Sequence, residues 1–355
     1  MMKIIFCLAS LGSGGAERVV SLLANKFAVV GNEVQIICLK YDDVYYRVQD
    51  NVKVVLGRQT APSNLSRLFW LRRYIKNENP DVVIAFTEGV YCFTLMALLG
   101  TKVPVIASER LDPSAMAWNR KLLKKLLLPR ADWLVVQTQQ IKQYFSSSIQ
   151  RKTSIIFNPV NNQVLSILAD NKHPNIVKKK RIISVARLYP QKNQQMMINA
   201  FAEIASRYPD WQLVIFGEGP LRAQLEHQIA ELGLEGRVLL PGRTGKVVDE
   251  LLSSELFCLS SDYEGMSNSM IEAICMGLPI VTTRVSGTEE LILDGENGFI
   301  VNINDADGMS EALVRLMADD ALRISMGEVN KKKAQLFHID TIVNQWLALI
   351  EKVTR

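Results

Sequence analysis

Features that would mark a secreted or membrane-spanning protein are missing from this sequence. It contains five cysteines but no C-x-x-C pair, and each cysteine lies in an apolar run (Cys7, Cys38, Cys92, Cys258 and Cys275). This spacing excludes a disulfide framework and indicates reduced thiols buried in a cytosolic core. No run of about 18 apolar residues occurs, so the sequence predicts no membrane-spanning helix. Residues 1–10 pass into glycine-rich sequence without a small-residue cleavage site, so we expect no signal peptide.

Excess charge of either sign is small overall, but it is unevenly distributed. The formal net charge is +5, yet residues 1–175 hold 22 Lys and Arg against 12 Asp and Glu, whereas the remainder holds 19 against 24. A basic half predicts an anionic partner for that half. Nucleic acid and anionic lipid both satisfy this requirement on charge alone.

Short apolar runs alternate with amphipathic stretches along the chain. The runs of the first half cover residues 3–9, 34–39, 82–86, 103–107 and 133–137, and the first predicted helix covers 16–30. A polar stretch at 158–180 is interpreted as a linker. The alternation then restarts with runs at 182–186, 211–216, 238–240, 256–259 and 280–282, and with helices predicted over 194–208, 221–232 and 338–353. Continuous apolar strands separated by helices predict parallel sheets covered on both faces.

This restart predicts two α/β domains of similar size in a chain of 355 residues. The first covers residues 1–165 and the second covers 166–335. The final segment, 336–355, contains a helix that we expect to cross back to the first domain.

A glycine-rich loop follows the first apolar run and opens the first predicted helix. Gly12, Gly14 and Gly15 allow a sharp turn and a close approach of a ligand to the backbone. The amide groups at a helix start attract anions. The dinucleotide fingerprint would require glycine at position 17, where Glu17 stands. The alternative interpretation is a tight turn with Ser13 as the helix cap.

The segment 260–279 predicts a second anion site. A polar loop at 260–265 follows an apolar strand and leads into a short helix that ends near Gly277. A diphosphate could accept hydrogen bonds from the backbone of 265–268, with Glu264 before and Glu272 within the helix. Carboxylates beside a diphosphate are suited to binding sugar and ribose hydroxyls. The alternatives are a capping box between Ser269 and Glu272, and a solvated loop acid at Glu264.

Two cations follow the strand predicted at 182–186. Arg187 and Lys192 would lie where strand ends of a parallel sheet face a ligand crevice, and they could neutralise a diphosphate leaving group there. The turn 216–220, which contains Gly217, would complete the crevice wall. The alternative is a pair of exposed surface cations.

Together these motifs resemble the retaining nucleotide-sugar glycosyltransferases of family four. The matching segments are Gly14-Gly15-Ala16-Glu17-Arg18, Arg187-Leu188-x-x-x-Lys192-Asn193, Gly217-Glu218-Gly219-Pro220, Glu264-Gly265 with Glu272-Ala273, Gly277-x-Pro279 and Gly287-x-x-Glu290-Leu291. The resemblance implies a GT-B fold, in which two Rossmann-like, doubly wound parallel-sheet domains of the α/β class face each other across a cleft.

The resemblance also implies roles for individual residues. Glu264 would contact the donor sugar, and Glu272 the ribose. Arg187 and Lys192 would hold the diphosphate and stabilise the charge that develops on departure. The remaining donor-binding positions would be Gly14, Gly15, Gly217, Gly242, Gly265, Met266, Ser267 and Asn268.

In this family such electrostatic stabilisation replaces a metal ion. The three histidines (His173, His227 and His338) are far apart, and Asp305 and Asp307 fall in a loop before a late helix. We therefore expect no metal and no other cofactor. Retention by front-face attack is implied by the resemblance, and no residue is identified as a covalent nucleophile.

The segment after the run 103–107 departs from the family pattern. Many members have a histidine there, often followed by aspartate, whereas this chain has Glu109 and Arg110. We interpret both as catalytic-site residues: Glu109 keeps a carboxylate near the reacting centre, and Arg110 binds phosphate or orients the acceptor. The alternative for Arg110 is an ion pair with Asp112.

Two stretches of the basic half, 67–76 and 118–130, combine Lys and Arg with Trp and Leu. This combination predicts helices lying on an anionic membrane, and so a peripheral location on the inner face of the cytoplasmic membrane with a polyprenyl-diphosphate-linked glycan as acceptor. The alternative is a sheet-covering helix with solvated lysines.

The donor is expected to be a UDP-hexose or UDP-N-acetylhexosamine, with GDP-mannose as the second choice. A non-hydrolysing nucleotide-sugar epimerase would share the fold but would not need a lipid-facing domain. The altered fingerprint argues against an NAD-dependent oxidoreductase. A nucleic-acid partner is not expected, because aromatic and basic residues are not interleaved on a strand platform.

Overall fold

The computed structural model describes residues 1–113, 118–161, 164, 166–167 and 177–355, except for the side chain of Asn119. The chain forms two compact units. Unit 1 comprises Met1–Pro159 with Phe337–Arg355, and unit 2 comprises Val160–Leu336. Residues 162–163, 165 and 168–176 of the linker interpreted at 158–180 lie outside the described residues.

Unit 1 contains a seven-stranded parallel sheet with the order β3-β2-β1-β4-β5-β6-β7. All the predicted runs of this half form strands, and two further strands, β3 and β7, were not predicted. The strands are β1 (Lys3–Leu8), β2 (Glu33–Cys38), β3 (Val52–Leu56), β4 (Val82–Phe86), β5 (Val105–Ser108), β6 (Trp133–Val136) and β7 (Thr153–Ile155).

Helices cover the sheet of unit 1. They are α1 (Gly15–Val29), α2 (Gly57–Thr60), α3 (Asn64–Glu78), α4 (Glu88–Ala97), α5 (Trp118–Leu127), α6 (Gln139–Tyr144) and α7 (Ser147–Gln150), and α5 continues into a 3₁₀ turn at Leu128–Arg130. The apolar stripe of α1 is buried as its periodicity predicts. The Ser13 cap was wrong, because the N-cap is Gly14, which has no side-chain hydrogen bond.

The last helix, α15 (Ile339–Thr354), belongs to unit 1. Its Trp346 is fully buried and stacks on Phe86 with ring centroids 5.9 Å apart. Phe86 in turn lies 6.1 Å from Phe6 of β1. The helix therefore completes an aromatic part of this core rather than forming a separate tail.

Unit 2 contains a six-stranded parallel sheet with the order β10-β9-β8-β11-β12-β13. All the predicted runs again form strands, whereas β13 was not predicted. The strands are β8 (Arg181–Val185), β9 (Gln212–Phe216), β10 (Val238–Gly242), β11 (Leu256–Leu259), β12 (Ile280–Thr283) and β13 (Gly298–Val301).

The helices of unit 2 lie between its strands in sequence. They are α8 (Gln194–Ala205), α9 (Arg222–Glu231), α10 (Val247–Leu252), α11 (Asn268–Cys275), α12 (Thr288–Leu291), α13 (Ala306–Ala318) and α14 (Asp320–Lys333), with 3₁₀ turns at Pro190–Lys192 and Ala334–Phe337. Phe201 of α8 and Met309 and Leu313 of α13 are fully buried in one core. The late helix expected after Asp305 and Asp307 is α13, which already includes Asp307, whereas α14 was not predicted.

Both sheets are doubly wound, as predicted. The strand order reverses between β1 and β4 in unit 1, and between β8 and β11 in unit 2. At such a switch point the connections leave toward opposite faces, and a crevice opens beyond the carboxyl ends of the two strands. The loops that follow β8 and β11 therefore lie where a ligand site is expected.

All five cysteines are buried free thiols. Burial raises the pKa of the Cys7 thiol to about 12, which keeps it protonated and unreactive at neutral pH. Across the part of the chain that the structure describes, no helix is long and apolar enough to cross a membrane.

Candidate functional site

Two loops are joined at the switch point of unit 2. The loop after β8 contains Gln191, and the loop after β11 contains Asp262 and Tyr263. The Gln191 side chain donates to the Tyr263 carbonyl at 2.7 Å, and the Asp262 amide donates to the Gln191 carbonyl at 2.9 Å. These bonds fix the two loops against each other, so the side chains that they carry share one site.

Lys192 and Glu264 form the centre of this site. Lys192 Nζ forms an ion pair with Glu264 Oε1, and the side chains are 14% and 9% exposed. The Ser261 hydroxyl donates to Glu264 Oε1 at 2.8 Å, and the Ser260 hydroxyl donates to the Lys192 carbonyl at 2.8 Å. The alternative of a solvated loop acid at Glu264 was therefore wrong. The sequence analysis placed Lys192 and Glu264 after these two strands but did not predict that they would pair.

Arg187 lies on the same loop as Lys192 but is exposed. Its guanidinium is 5.0 Å from the ring centroid of Tyr189, and its carbonyl accepts a hydrogen bond from the Gln194 side chain at 2.9 Å. The backbone is thus fixed while the charged end reaches solvent. Such a cation can meet an incoming anion without first breaking an ion pair.

The turn after β9 packs directly on the loop after β8, and this contact requires glycine. Gly217 has φ +150°, and a Cβ atom there would lie 1.9 Å from the Ala186 carbonyl oxygen. A Cβ at Gly219 would lie 2.2 Å from the Leu188 oxygen. The Gly217 amide donates to the Gly242 carbonyl at 2.9 Å, so Gly242 at the end of β10 lies in the same row of turns.

Helix α11 begins at Asn268, four residues after Glu264. Gly265, Met266 and Ser267 are buried, and Asn268 is half-buried. Ser267 is the N-cap, and its hydroxyl accepts from the Met270 amide at 3.4 Å. The start of a helix carries partial positive charge, which suits a phosphate group.

Glu272 lies inside α11 and is 2% exposed. The expected capping box with Ser269 was wrong, because Ser267 caps the helix and Ser269 lies within it. A buried carboxylate in the second turn of this helix is instead held in a fixed position.

The glycine-rich loop lies at the switch point of unit 1. The Gly12 amide donates to the Ser10 hydroxyl at 3.1 Å, and the Gly14 amide donates to the Gly12 carbonyl at 2.9 Å. Helix α1 begins at Gly15. A Cβ at Gly14 would lie 2.0 Å from Glu17 Oε2, so the acid that interrupts the dinucleotide fingerprint also packs over this glycine.

Glu109 follows β5 in unit 1 and is fully buried. Its Oε2 accepts from the Tyr91 hydroxyl at 2.8 Å and pairs with Lys124 Nζ at 3.4 Å. Burial raises the pKa of Glu109, and the neighbouring Lys124 opposes that shift. The carboxylate is therefore occupied by partners within the protein.

Arg110 is 7% exposed, and its guanidinium lies 4.3 Å from the Phe86 ring centroid. Its Nη1 donates to Asn158 Oδ1 at 2.8 Å, whereas its Nε and Nη2 have no hydrogen-bond partner within the described ranges. Burial lowers the pKa of Arg110 to about 9, and Glu109 opposes that shift. The alternative interpretation of Arg110 was an ion pair with Asp112, whereas the side-chain hydrogen bond of its guanidinium goes to Asn158.

Sequence reasoning missed the polar residues that surround Glu109 and Arg110. Glu88 begins α4 and accepts from Arg120 Nε at 2.9 Å. Asn158 also accepts from Gln137 Nε2 at 2.7 Å. Glu88, Gln137 and Asn158 each follow a strand of one parallel sheet, and that position could have identified them. Lys124 had no such signal, because it lies in a run of basic and apolar residues.

Within the described parts of the chain, no group of three or more His, Cys, Asp or Glu side chains could hold a metal ion. Asp305 instead caps α13, where its side chain accepts from the Gly308 amide at 2.8 Å.

Comparison with known proteins identifies the chain's family. A model described as Glycosyltransferase Family 4 matches residues 13–164, and one described as Glycosyl transferases group 1 matches residues 168–333. The Campylobacter jejuni N-acetylgalactosamine-N,N'-diacetylbacillosaminyl-diphospho-undecaprenol 4-alpha-N-acetylgalactosaminyltransferase is 30% identical, over 95% of this chain and 96% of that protein. The chain belongs to glycosyltransferase family four.

Other proteins resemble this family-four glycosyltransferase over nearly its full length. The C. jejuni GalNAc-alpha-(1->4)-GalNAc-alpha-(1->3)-diNAcBac-PP-undecaprenol alpha-1,4-N-acetyl-D-galactosaminyltransferase is 28% identical over 99% of each chain. Anabaena Alr3699/HepE, solved with UDP and glucose, has a TM-score of 0.81 at 19% identity and covers 99% of this chain and 100% of its own. A mutant of S. aureus TarM, solved with UDP among its ligands, has a TM-score of 0.80 at 14% identity with the same coverage. The family-four glycosyltransferase therefore has the predicted GT-B fold.

Proposed function

We propose that this glycosyltransferase moves a hexose or an N-acetylhexosamine from a nucleotide-diphosphate sugar, with UDP-sugars favoured, onto a polyprenyl-diphosphate-linked glycan. Both C. jejuni relatives have names that specify an undecaprenol-linked glycan acceptor. The HepE and TarM structures named above were solved with UDP. The reaction would serve surface polysaccharide or glycan assembly.

The observation that carries this proposal is the Lys192–Glu264 pair at the switch point between β8 and β11. It brings a cation and a carboxylate, 72 residues apart in the chain, into one mostly buried contact. A nucleotide-diphosphate sugar has matching groups, because its diphosphate needs cations and its sugar needs hydrogen-bond acceptors for hydroxyl groups.

The chemistry follows from where charge develops. When the bond to the anomeric carbon breaks, negative charge develops on the departing diphosphate. Arg187 and Lys192 oppose that charge, and the amide groups at the start of α11 (265–268) add to their effect. Glu264 then binds a hydroxyl of the donor sugar, and Glu272 binds the ribose. The glycines at 14, 15, 217 and 242 allow the backbone to approach the donor.

This neutralisation requires no metal ion, since cationic side chains and amide dipoles supply it. The transfer proceeds with retention by attack on the face from which the diphosphate leaves. No covalent enzyme nucleophile takes part. Activity measurements test both the independence from metal ions and the retention of configuration.

We further propose that unit 1 binds an anionic membrane surface through α5. Leu122 and Leu126 of this helix are exposed, with Lys125 on the same side, whereas Lys124 is only 4% exposed. An outward apolar face beside cations fits anionic lipid. The other basic stretch, 67–76, lies in α3 and differs from α5 in what it buries. Its buried residues are Arg67, Leu71 and Ile75. The protein would thus act at the inner face of the cytoplasmic membrane, and no nucleic acid takes part.

A donor screen tests the proposed function. UDP, GDP and ADP, free and as sugar conjugates, are compared by thermal shift, and the product of the best donor is analysed by NMR for its anomeric configuration. We expect the largest stabilisation from a UDP-sugar and an α-linked product from an α-linked donor. A preference for GDP would favour GDP-mannose, and an epimerised nucleotide sugar formed without acceptor would contradict transfer.

A further inference from the structure

The guanidinium of Arg110 has one hydrogen-bonding edge that no described residue uses. Nη1 donates to Asn158, whereas Nε and Nη2 are buried without a partner. Nε and Nη2 form the side of the guanidinium that binds two oxygens of one carboxylate or phosphate in parallel. The unused edge is therefore the one suited to bidentate recognition of an anion.

The protein holds this guanidinium in a fixed orientation. Its central carbon, Cζ, lies 4.3 Å from the centroid of the Phe86 ring, and its Nη1 donates to Asn158. Asn158 is itself fixed, because its Oδ1 also accepts from Gln137 Nε2 at 2.7 Å. An arginine that is already oriented loses little conformational entropy when it binds a ligand.

The neighbouring acid does not neutralise Arg110 through its side chain. Glu109 Oε2 is occupied by Tyr91 and Lys124, and Oε1 accepts from the Arg110 backbone amide at 3.3 Å. Lys124 and Glu109 balance each other in charge, so the charge of Arg110 remains. Burial lowers the pKa of Arg110 to about 9, and the charge of Glu109 opposes that shift.

A second polar group is unsatisfied at the same strand end. The hydroxyl of Ser108, which ends β5, is fully buried and has no hydrogen-bond partner among the described residues. Buried donors without partners cost free energy, and folded proteins rarely keep them unless a ligand or an ordered water completes them. Ser108 and Arg110 therefore place two unsatisfied polar groups at the carboxyl end of β5.

We propose that Arg110 binds a phosphate group of the acceptor through Nε and Nη2, which rests on the proposed function of the protein. The shared chemistry is that of a phosphate or diphosphate ester. We assign it to the acceptor because Arg187 and Lys192 already supply the cations for the donor diphosphate in the proposed mechanism. Arg110 would thereby position the acceptor by its diphosphate rather than by its sugar.

The test compares two acceptors that carry the same glycan, one linked to a short polyprenyl diphosphate and one to a neutral alkyl group. Arg110→Lys keeps the charge but removes the two-donor edge. We expect it to lower kcat/KM for the diphosphate acceptor by about 10- to 100-fold, which is the range for a lost charged hydrogen-bond pair. The loss of kcat/KM should be much smaller for the neutral acceptor than for the diphosphate acceptor, and the donor KM should change by less than about twofold. Exposed Arg151→Lys is the matched control and should change neither.

Other outcomes overturn the assignment. A raised donor KM without a change for the diphosphate acceptor would mean that the donor supplies the phosphate. Equal losses with both acceptors would mean that Arg110 only supports the fold, and the melting temperature of each variant checks this directly.

Calorimetry separates this inference from the proposed function. Inorganic pyrophosphate is titrated into the wild-type protein and into Arg110→Lys, each saturated with UDP. We expect about 10- to 100-fold weaker binding to the variant, whether or not a transfer reaction has been found. Equal pyrophosphate affinities would refute an anion site at Arg110. If Arg110→Lys does not fold, competition of pyrophosphate with the diphosphate acceptor in the wild-type enzyme supports the assignment, and competition with the donor alone contradicts it.

Discussion

At the scale of single residues, Glu264 has a defined environment before any ligand binds. Lys192 and Ser261 both contact its Oε1. The other oxygen, Oε2, can therefore accept a hydrogen bond from a hydroxyl of the donor sugar. The pairing also keeps two opposite charges in a mostly buried place, where either alone would be unfavourable.

Glu264→Gln removes the negative charge and keeps the size of the side chain. We expect kcat to fall by about 100- to 1000-fold, because the altered group would act where charge changes in the transition state. Steady-state kinetics with the best donor measure this. Glu328→Gln is the control, since Glu328 is exposed and forms a surface ion pair with Lys331. A Glu264→Gln enzyme within about twofold of wild type would exclude a catalytic role.

The pKa of Glu78 indicates how the stability of unit 1 changes with acid pH. Lys3, Gln35 and Lys53 all contact its carboxylate, and the hydrogen bond to Lys3, at 2.6 Å, is the largest influence that lowers its pKa from 4.5 to about 2. Because the pKa in the folded state is depressed, this stabilisation is complete above pH 4.5 and is lost as the pH falls toward 2.

Glu78→Gln should therefore lower the free energy of unfolding at pH 7 by about 1 kcal/mol, and by less at pH 3. Urea unfolding of the wild type and the variant at both pH values measures the difference. Equal destabilisation at the two pH values would show that the charge of Glu78 contributes nothing.

At the scale of elements, α5 is the clearest case of a sequence pattern with two interpretations. It could be a helix lying on an anionic membrane or a helix covering the sheet with its lysines in solvent. Lys121, Lys124 and Lys125 are close in sequence, and all three were predicted to face lipid. The structure buries Lys124 against Glu109, which leaves the leucines on the outside. The prediction for Lys124 was wrong, because Lys124 pairs with the buried Glu109, which follows β5. The sequence around Lys124 does not indicate that this acid lies nearby.

This geometry sharpens the membrane test. Lys121→Glu with Lys125→Glu should weaken binding to phosphatidylglycerol vesicles by at least about tenfold, since each cation near an anionic surface contributes about 1 kcal/mol. Lys40→Glu with Lys102→Glu makes the same charge change at other exposed sites and should have a much smaller effect. Co-sedimentation measures both, and equal losses would show that α5 is not the contact surface.

The strands that sequence reasoning missed, β3, β7 and β13, all lie at sheet edges. Strand β3 is only partly buried, and β7 has three residues. Central parallel strands are buried on both faces, so their sequences are continuous apolar runs. Edge strands do not need to be apolar along their whole length. The site loops after β8 and β11 could be predicted for the complementary reason, because both follow such central runs.

At the scale of the whole molecule, two sheets share the order of a doubly wound fold. The alternation of apolar runs and helices in the sequence sufficed to predict two parallel-sheet α/β domains. The buried polar network around Arg110 could not be predicted in the same way. It depends on side chains from separate strand ends, such as Gln137 and Asn158, that meet only in the folded sheet.

The proposed metal independence concerns the complete enzyme. We expect activity to persist in excess EDTA, because cations of the protein neutralise the leaving group in the proposed mechanism. Loss of activity on chelation, with recovery on adding Mg²⁺ or Mn²⁺, would contradict it.

The most direct measurement is a crystal structure of the protein with UDP or a UDP-sugar bound. The account predicts the diphosphate within hydrogen-bonding distance of Lys192 and Arg187 and beside the start of α11, with the sugar at Glu264. A nucleotide bound elsewhere on the protein, with Lys192 and Glu264 still paired and untouched, would contradict it.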